Sequence, residues 1–255
     1  MAYTKIKLDA MAPVARVQLA HGQQNVIDIE MMEELRAALA ELEARADVSA
    51  IVFSGGEKAF SAGVDIPAHT PDKVAGMLEK FHALVRAMVG SQKVLVAEVR
   101  GNCFGGGAEL ALVCDIIITA DDAQWGFPEI TLACYPPVAC VALAAAVGQK
   151  RAAELILTGK TISGAEAEKI GLANVVCGAR QVEARSRELT ARLSELSPAA
   201  LRLTKKALYA WDAMHFEKGL ARAEKIYLDE LVKTADCEEG IKAWMEKRKP
   251  KWSGK

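Results

Sequence analysis

The fold predicted from this sequence is organised around one stretch, Arg100-Gly101-Asn102-Cys103-Phe104-Gly105-Gly106-Gly107-Ala108-Glu109-Leu110. An apolar run ends in three glycines, and a helical pattern begins directly after them with Glu109 in its first turn. Glycines let a ligand approach backbone N–H groups, and a helix start adds unpaired N–H groups and the positive end of its dipole. Such a place suits an oxygen that becomes negative during a reaction, beside a carboxylate that can exchange a proton. The alternative is a close strand–helix turn, with Glu109 as an ordinary first-turn acid.

Apolar runs on both sides of this stretch predict a layered α/β body. Buried strands are predicted at residues 50–53, Val94–Val99 and 114–120. Residues 3–8 and Val14–Leu19 alternate as strands do. A helix follows them, with an apolar face formed by Met32, Leu35, Leu39 and Leu42. This strand–helix–strand rhythm is typical of α/β folds.

A second loop of small residues, Phe60-Ser61-Ala62-Gly63-Val64-Asp65-Ile66, precedes the glycine stretch. It can offer backbone N–H groups at Gly63 and Val64 to a flat ligand. A plain turn before a helix is the alternative. That next helix is predicted over residues 70–89, with Thr70 as N-cap and Pro71 as the first helical residue.

A second carboxylate follows a proline in the segment Gly126-Phe127-Pro128-Glu129-Ile130. Apolar surroundings raise the pKa of a carboxyl group, as a proton donor at neutral pH requires. An exposed loop acid is the alternative. The chain then enters Cys134-Tyr135-Pro136-Pro137-Val138-Ala139, which predicts a rigid turn before an apolar helix that ends at Gly148.

From Lys150 onward the pattern becomes helical. Ser163-Gly164-Ala165-Glu166 matches a capping box, and Ser197-Pro198 opens a later helix. We place a boundary near residue 200. Residues 1–199 would then form an α/β core that carries the site, and residues 200–255 a helical region that packs on the core or contacts other subunits.

Charge and composition restrict the function classes. The 255-residue chain has a formal net charge of −1, so no overall field attracts nucleic acid or an anionic membrane. Six cysteines without a CxxC pair, and no visible leader, lead us to expect a reducing, cytoplasmic setting. The four scattered histidines predict no metal site, and no dinucleotide-binding fingerprint is present.

Four segments, taken in order, resemble the signatures of the enoyl-CoA hydratase/isomerase (crotonase) superfamily: residues 60–65, 105–110, 126–130 and 240–250. The resemblance covers nearly the whole chain. It implies a spiral of ββα turns with a helical C-terminal trimerisation region, assembled as a homotrimer or homohexamer. It also implies an acyl-CoA thioester as ligand, with coenzyme A present only as part of the substrate.

The resemblance also implies roles for single residues. The backbone N–H groups of Val64 and Gly106 match the pair that binds the thioester oxygen in this family. Glu109 and Glu129 match the two hydratase carboxylates. Because family members with other chemistry often lack one or both acids, the presence of both favours addition or removal of water. We assign Glu109 as the base on water and Glu129 as the acid, with the roles reversed in dehydration.

Coenzyme A would contact residues from two parts of the chain. The loop that contains Ala62, Asp65 and Ile66 matches the one beside the adenine in this family. Trp244 and Lys247 match positions that reach the coenzyme A of a neighbouring subunit.

One segment departs from the family pattern. Where many hydratases are glycine-rich after the second glutamate, this chain has Leu132-Ala133-Cys134-Tyr135-Pro136-Pro137-Val138-Ala139. Tyr135, Pro136 and Pro137 would stiffen and reshape the acyl pocket. The segment resembles that of cyclohexa-1,5-diene-1-carbonyl-CoA hydratases of anaerobic aromatic degradation. This predicts a cyclic dienoyl-CoA substrate and 6-hydroxycyclohex-1-ene-1-carbonyl-CoA as product.

Other functions remain open from the sequence. On the same scaffold, the alternatives are hydration of a linear short-chain enoyl-CoA and double-bond isomerisation. A different class would be a non-catalytic acyl-CoA-binding or RNA-binding protein, and a further alternative is a structural oligomer without a site. The two glycine loops and the two acids favour an enzyme.

Overall fold

Two β-sheets of mainly parallel strands form the centre of the protein. The computed structural model describes residues 3–209 and 212–254, and within the second range it describes side chains from residue 215 onward. The strands in chain order are β1 Ile6–Asp9, β2 Val14–Leu19, β3 Ala50–Ser54, β4 Ala59–Ser61, β5 Val94–Val99, β6 Asn102–Phe104, β7 Ile116–Ala120, β8 Gln124–Gly126, β9 Ile162–Ser163 and β10 Val175–Cys177. One sheet has the order β1-β2-β3-β5-β7-β10, and the other has the order β4-β6-β8-β9.

Helices surround the sheets and make up most of the C-terminal part. In chain order they are α1 Ile29–Glu43, α2 Val74–Val89, α3 Gly106–Leu112, α4 Pro137–Val147, α5 Gln149–Thr158, α6 Gly164–Lys169, α7 Val182–Ser194, α8 Pro198–Leu208, α9 Asp212–Asp229 and α10 Ala235–Met245. Short 3-10 turns lie at Ile66–His69, Pro128–Leu132, Ala179–Gln181 and Leu231–Lys233. The capping box at Ser163 and the N-cap at Ser197 are both formed.

The chain repeats one unit: a strand in the first sheet, a strand in the second sheet, and then a helix. The units are β3-β4-α2, β5-β6-α3, and β7-β8 followed by the 3-10 turn Pro128–Leu132 and α4. Within each sheet the corresponding strands pair in parallel. The mixed α/β class and the ββα spiral are therefore confirmed.

Burial explains why the central strands contain so many apolar residues. Every residue of β3 and β5 is buried, as is usual for central strands covered on both faces. Glu98 is a charged exception on β5, and its carboxylate accepts a hydrogen bond from the guanidinium of Arg16 on β2. Next to the edge strand β1, β2 alternates between buried and half-buried residues.

Two local predictions were wrong in detail. The helix predicted over residues 70–89 begins only at Val74. Thr70 is extended because it precedes Pro71, and its carbonyl accepts hydrogen bonds from the N–H groups of Lys73 and Val74 in a turn before the helix. The second loop also contains the short strand β4, which pairs with β6 beside the glycines.

The C-terminal helices pack onto the site-bearing part of the same chain. Helix α9 contacts α2 and α4, and α10 contacts both the turn Ile66–His69 and the turn Pro128–Leu132. At Gly240 on α10 a side chain would not fit, because a Cβ there would lie 2.3 Å from the carbonyl oxygen of Leu132. The division at residue 200 stays a prediction. In the described ranges, no helix has the length and apolar character needed to cross a membrane.

Candidate active site

The glycine run brings two loops into direct contact. Gly105 has φ +51°, a conformation that suits glycine, and Gly106 begins α3. A Cβ on Gly106 would lie 2.6 Å from Cγ2 of Val64 and 3.1 Å from Cζ of Phe81. The residue must therefore be glycine for the loop that carries Val64 to reach the start of α3.

Two backbone N–H groups at this contact lack a partner among the described residues. Ile27 donates to the carbonyl oxygen of Gly63 at 2.9 Å and accepts from the N–H of Asp65 at 3.0 Å, so the N–H of Val64 between them faces away from Ile27. Gly106 is the first residue of α3, and its N–H has no acceptor within the helix. The two groups that the sequence selected are thus both available to a ligand oxygen.

Glu109 is buried one turn into α3, with 3% of its surface exposed. Its Oε1 accepts a hydrogen bond of 2.9 Å from the N–H of Ala139, in the first turn of α4. Burial raises the pKa of Glu109 from 4.5 to about 7, and the N–H groups of Ala139 and Val138 limit that rise. The carboxyl group can therefore either hold or release a proton near neutral pH.

Glu129 lies on the 3-10 turn Pro128–Leu132, beside the glycine run. A Cβ on Gly105 would lie 2.7 Å from its Oε1. Its Oε2 is buried and makes no hydrogen bond within the described residues. Burial first, and the nearby charge of Glu109 second, raise the pKa of Glu129 well above its ordinary value. Two carboxyl groups that disfavour each other's ionisation are suited to share one proton.

Both acids open into one cavity of about 250 Å³. Phe81, Met77 and Leu78 from α2 form an apolar part of its wall. Most of the residues selected from the sequence also line it, namely Ala62, Val64, Ile66, Gly106, Glu109, Glu129, Tyr135, Pro136, Pro137 and Trp244.

Two selected residues lie outside the cavity lining. Asp65 precedes the turn Ile66–His69, where its carbonyl oxygen accepts a hydrogen bond from Nδ1 of His69. Lys247 follows α10 and is exposed, with φ +54°. Trp244 lines the cavity of its own chain, because α10 packs on the turn Pro128–Leu132. The contact with a neighbouring subunit's ligand that the resemblance implies for Trp244 and Lys247 stays a prediction.

Sequence reasoning missed three polar residues of the cavity, His69, Thr131 and Tyr227. Burial lowers the pKa of His69, which favours the neutral ring. Tyr227 comes from the C-terminal part of α9, where no local pattern distinguishes it from a packing residue. Its ring meets that of Tyr135 edge-on, with the centroids 5.1 Å apart.

A larger cavity of about 430 Å³ lies elsewhere, between α3, α4 and the C-terminal helices. Its charged residues Asp115 and Lys205 form an ion pair at 2.7 Å, and Asp115 also accepts from the N–H of Leu95. These contacts give Asp115 a structural role. Within the described part of the chain, no cluster of potential metal ligands occurs in either place.

The smaller cavity combines the groups needed for proton transfer beside a developing oxyanion. Two unpaired N–H groups can stabilise negative charge on an oxygen. Two buried carboxyl groups of raised pKa can take a proton from one atom and give a proton to another.

Comparison with known proteins places this geometry in a family. The model of the enoyl-CoA hydratase/isomerase family matches residues 9–255. A cyclohexa-1,5-dienecarbonyl-CoA hydratase of Thauera aromatica is 34% identical over 252 residues, which cover 98% of this chain and 97% of the relative. A probable enoyl-CoA hydratase of Mycobacterium leprae is 33% identical over 256 residues, 99% of each chain.

Solved structures agree with the sequence relatives. An enoyl-CoA hydratase from Mycobacterium avium subsp. paratuberculosis K-10 superposes with a TM-score of 0.89 at 25% identity, covering 99% of this chain and 100% of the other. An enoyl-CoA hydratase/isomerase from Xanthobacter autotrophicus Py2 gives a TM-score of 0.88 at 30% identity, covering 96% and 94%. The chain therefore belongs to the enoyl-CoA hydratase/isomerase family.

Proposed function

We propose that this protein adds water to a conjugated acyl-CoA thioester and that its substrate is cyclohexa-1,5-diene-1-carbonyl-CoA. One observation carries the proposal: Glu109 and Glu129 line a single cavity, and neither is paired with a cation among the described residues. A buried acid without a cationic partner lowers the stability of the folded protein. Such acids are common where a reaction needs carboxyl groups of raised pKa.

The reaction follows from the chemistry of a conjugated thioester. The N–H groups of Val64 and Gly106 bind the thioester oxygen. Glu109 takes a proton from water, and the water oxygen adds to the carbon β to the carbonyl. The electron pair of the double bond moves onto the thioester oxygen, which the two N–H donors stabilise. In the cyclic diene the β carbon is C2; Glu129 then gives its proton to C5 of the ring, the carbonyl re-forms, and the second double bond moves from C5–C6 to C1–C6, where it is conjugated with the carbonyl. In dehydration the two acids exchange roles.

Two observations support a cyclic acyl group. Tyr135, Pro136 and Pro137 form a stiff part of the cavity wall, and the Tyr135 hydroxyl donates to the carbonyl oxygen of Ala223 at 2.6 Å. The relative from Thauera aromatica, whose name specifies the cyclic diene, is similar over nearly the full length. The expected product is 6-hydroxycyclohex-1-ene-1-carbonyl-CoA.

The remaining parts of the ligand and the assembly are also proposals. Coenzyme A would lie along the loop that contains Ala62, Asp65 and Ile66, with Trp244 and Lys247 near it. Leu203 and Leu208 of α8 are 56% and 68% exposed and would be covered in a trimer or hexamer. Light scattering after gel filtration tests this assembly, and a monomer would contradict it.

The decisive experiment compares two substrates. The purified protein is incubated with cyclohexa-1,5-diene-1-carbonyl-CoA and with crotonyl-CoA, and hydration is followed by mass and by loss of absorbance. We expect rapid hydration of the diene and poor hydration of crotonyl-CoA. The reverse preference would indicate a linear enoyl-CoA hydratase, as the names of several relatives suggest. Movement of a double bond without a gain in mass would indicate an isomerase.

A further inference from the structure

Tyr227 presents a buried hydroxyl group at the cavity without a strong partner. Its side chain lies near the C-terminal end of α9, is 1% exposed and lines the same cavity as both acids. The hydroxyl makes no hydrogen bond to an oxygen or nitrogen of the described residues. Its polar neighbour is the Cys134 thiol, and thiols are weak hydrogen-bonding groups. Burial raises the pKa of Tyr227, so the hydroxyl stays protonated and can donate.

A second unpartnered atom belongs to the same cavity. The buried side-chain atoms without a partner in the described residues are His82 Nε2, Ser186 Oγ, Tyr227 Oη and Glu129 Oε2. Tyr227 and Glu129 are the two of these residues that line the catalytic cavity. Native proteins rarely leave buried polar atoms without a partner, and a bound ligand or water is one explanation when they occur together. The charge of Glu129 also acts on the Tyr227 hydroxyl, so the two groups lie near each other, and an oxygen atom that contacts both would satisfy both.

We propose that Tyr227 donates a hydrogen bond to the oxygen atom that the enzyme adds to its substrate, while Glu129 Oε2 contacts the same oxygen. This oxygen is the attacking water before the reaction and the hydroxyl of the product afterwards. The inference rests on the proposed hydratase function. It makes Tyr227 a third polar group of the reaction, supplied by the C-terminal helices.

The neighbouring Tyr135 provides a matched control. Its hydroxyl is already satisfied by the carbonyl oxygen of Ala223, and its ring packs edge-on against Tyr227. Tyr135→Phe therefore deletes a hydroxyl from the same wall but leaves the carbonyl of Ala223 without its donor. Tyr227→Phe deletes a hydroxyl that has no oxygen or nitrogen partner in the described protein. The two variants separate the loss of a structural bond from the loss of a ligand bond.

The test measures binding of two ligands that differ by one hydroxyl. Both tyrosine variants are made in a Glu109→Gln background, which prevents consumption of the ligands. Calorimetry then compares 6-hydroxycyclohex-1-ene-1-carbonyl-CoA with cyclohex-1-ene-1-carbonyl-CoA. We expect Tyr227→Phe to weaken the hydroxylated ligand about tenfold and the other less than about twofold. Tyr135→Phe should lower the melting temperature and affect both ligands equally.

Kinetics give a second readout in the otherwise unaltered enzyme. Tyr227→Phe should lower kcat for hydration of the diene about tenfold and leave KM nearly unchanged, since the ring and the acyl contacts remain. Equal binding of both ligands by Tyr227→Phe and its parent, together with an unchanged kcat, would overturn the proposal. If Tyr227→Phe does not fold, Glu129→Ala is made in the Glu109→Gln background. It should weaken binding of the hydroxylated ligand and leave binding of the other nearly unchanged. An equal loss of affinity for both ligands would overturn the proposal.

Failure of the proposed function gives a different pattern. If the enzyme hydrates neither diene nor crotonyl-CoA, the hydratase proposal fails. The binding comparison is then repeated with 3-hydroxybutyryl-CoA and butyryl-CoA. A hydroxyl preference that depends on Tyr227 would support the oxygen site without the hydratase reaction, and the absence of such a preference would overturn both.

Discussion

Two glutamates that lie close in sequence are both buried, yet the protein treats them in opposite ways. Glu98 is the next-to-last residue of β5, with 1% of its surface exposed, and its carboxylate is paired with the guanidinium of Arg16. Glu109 lies in the first turn of α3 with 3% exposed, and the polar group bonded to it is a backbone N–H. Of these two buried glutamates, the one in the sheet therefore has a cationic partner and the one in the cavity has none.

The difference separates buried acids that stabilise the fold through an ion pair from buried acids that are suited to proton transfer. Asp115 follows the first pattern, since Lys205 pairs with it at 2.7 Å. Glu129 follows the second, with Oε2 unpartnered and its pKa raised by burial and by Glu109. A buried acid with a cation is fixed in an ion pair, whereas one without a cation is free to exchange a proton near neutral pH. Each prediction below changes one member of this comparison.

The largest effect is expected from Glu109→Gln and Glu129→Gln. Each change removes a proton-transfer group while keeping the shape, so kcat for hydration should fall by about 10³-fold. The folded protein should be as stable as the parent or more stable, because a buried ionisable group without a cation has been removed. Stopped assays by mass and chemical denaturation of the same samples measure the two quantities. Near-normal turnover in either variant would show that the acid is not needed.

The opposite pattern is expected from Glu98→Gln. Arg16 loses its anionic partner inside the sheet, so the free energy of unfolding should fall by about 3 kcal/mol. Turnover per folded molecule should stay close to that of the parent, because Glu98 does not line the cavity. Denaturation and active-site-normalised kinetics check both parts. A loss of activity with unchanged stability in Glu98→Gln would contradict the structural role assigned to Glu98.

Local sequence patterns were enough to predict much of this arrangement. Continuous apolar runs identified β3 and β5, and the glycines before Glu109 identified the start of α3. The choice of the Gly106 N–H group came from the family resemblance. Pro128 beside Glu129 indicated an acid in apolar surroundings. In each case the physical cause lies within a few residues of the feature, so a reading of the sequence could find it.

Features that depend on distant contacts were not predictable in this way. The partner of Glu98 is Arg16, which lies on a strand two places away in the sheet. Tyr227 enters the cavity only because α9 packs across α2 and α4. Trp244 reaches the cavity of its own chain because α10 lies on the turn that carries Glu129. No local pattern encodes these placements, since each depends on how elements far apart in sequence pack together.

An intermediate effect is expected when the spacing of the acids is changed without touching either of them. In Gly105→Ala, the new Cβ would lie 2.7 Å from Oε1 of Glu129, so that carboxyl group must move. We expect kcat to fall roughly tenfold. Gly22→Ala is the matched control, because Gly22 has φ +64° and nothing within 4 Å of the new Cβ. Both variants should lose stability from backbone strain, and Gly105→Ala the more, because φ +51° with ψ −129° lies outside the left-handed helical region. Equal kinetics in the two would show that the position of Glu129 is not critical.

The smallest effect concerns how stability changes with pH. The pKa of Glu109 rises from 4.5 in the unfolded chain to about 7 in the folded protein. Between these values the folded state holds a proton that the unfolded state has released, so stability falls as pH rises through this range. Between about pH 5.5 and 6.5 this contribution is about 1 kcal/mol. Denaturation at both pH values should show a smaller fall in Glu109→Gln than in the parent, since the groups that do not interact with Glu109 cancel in the difference. Equal falls would mean that Glu109 is ionised over the whole range, and that burial without a cation does not hold a proton on it.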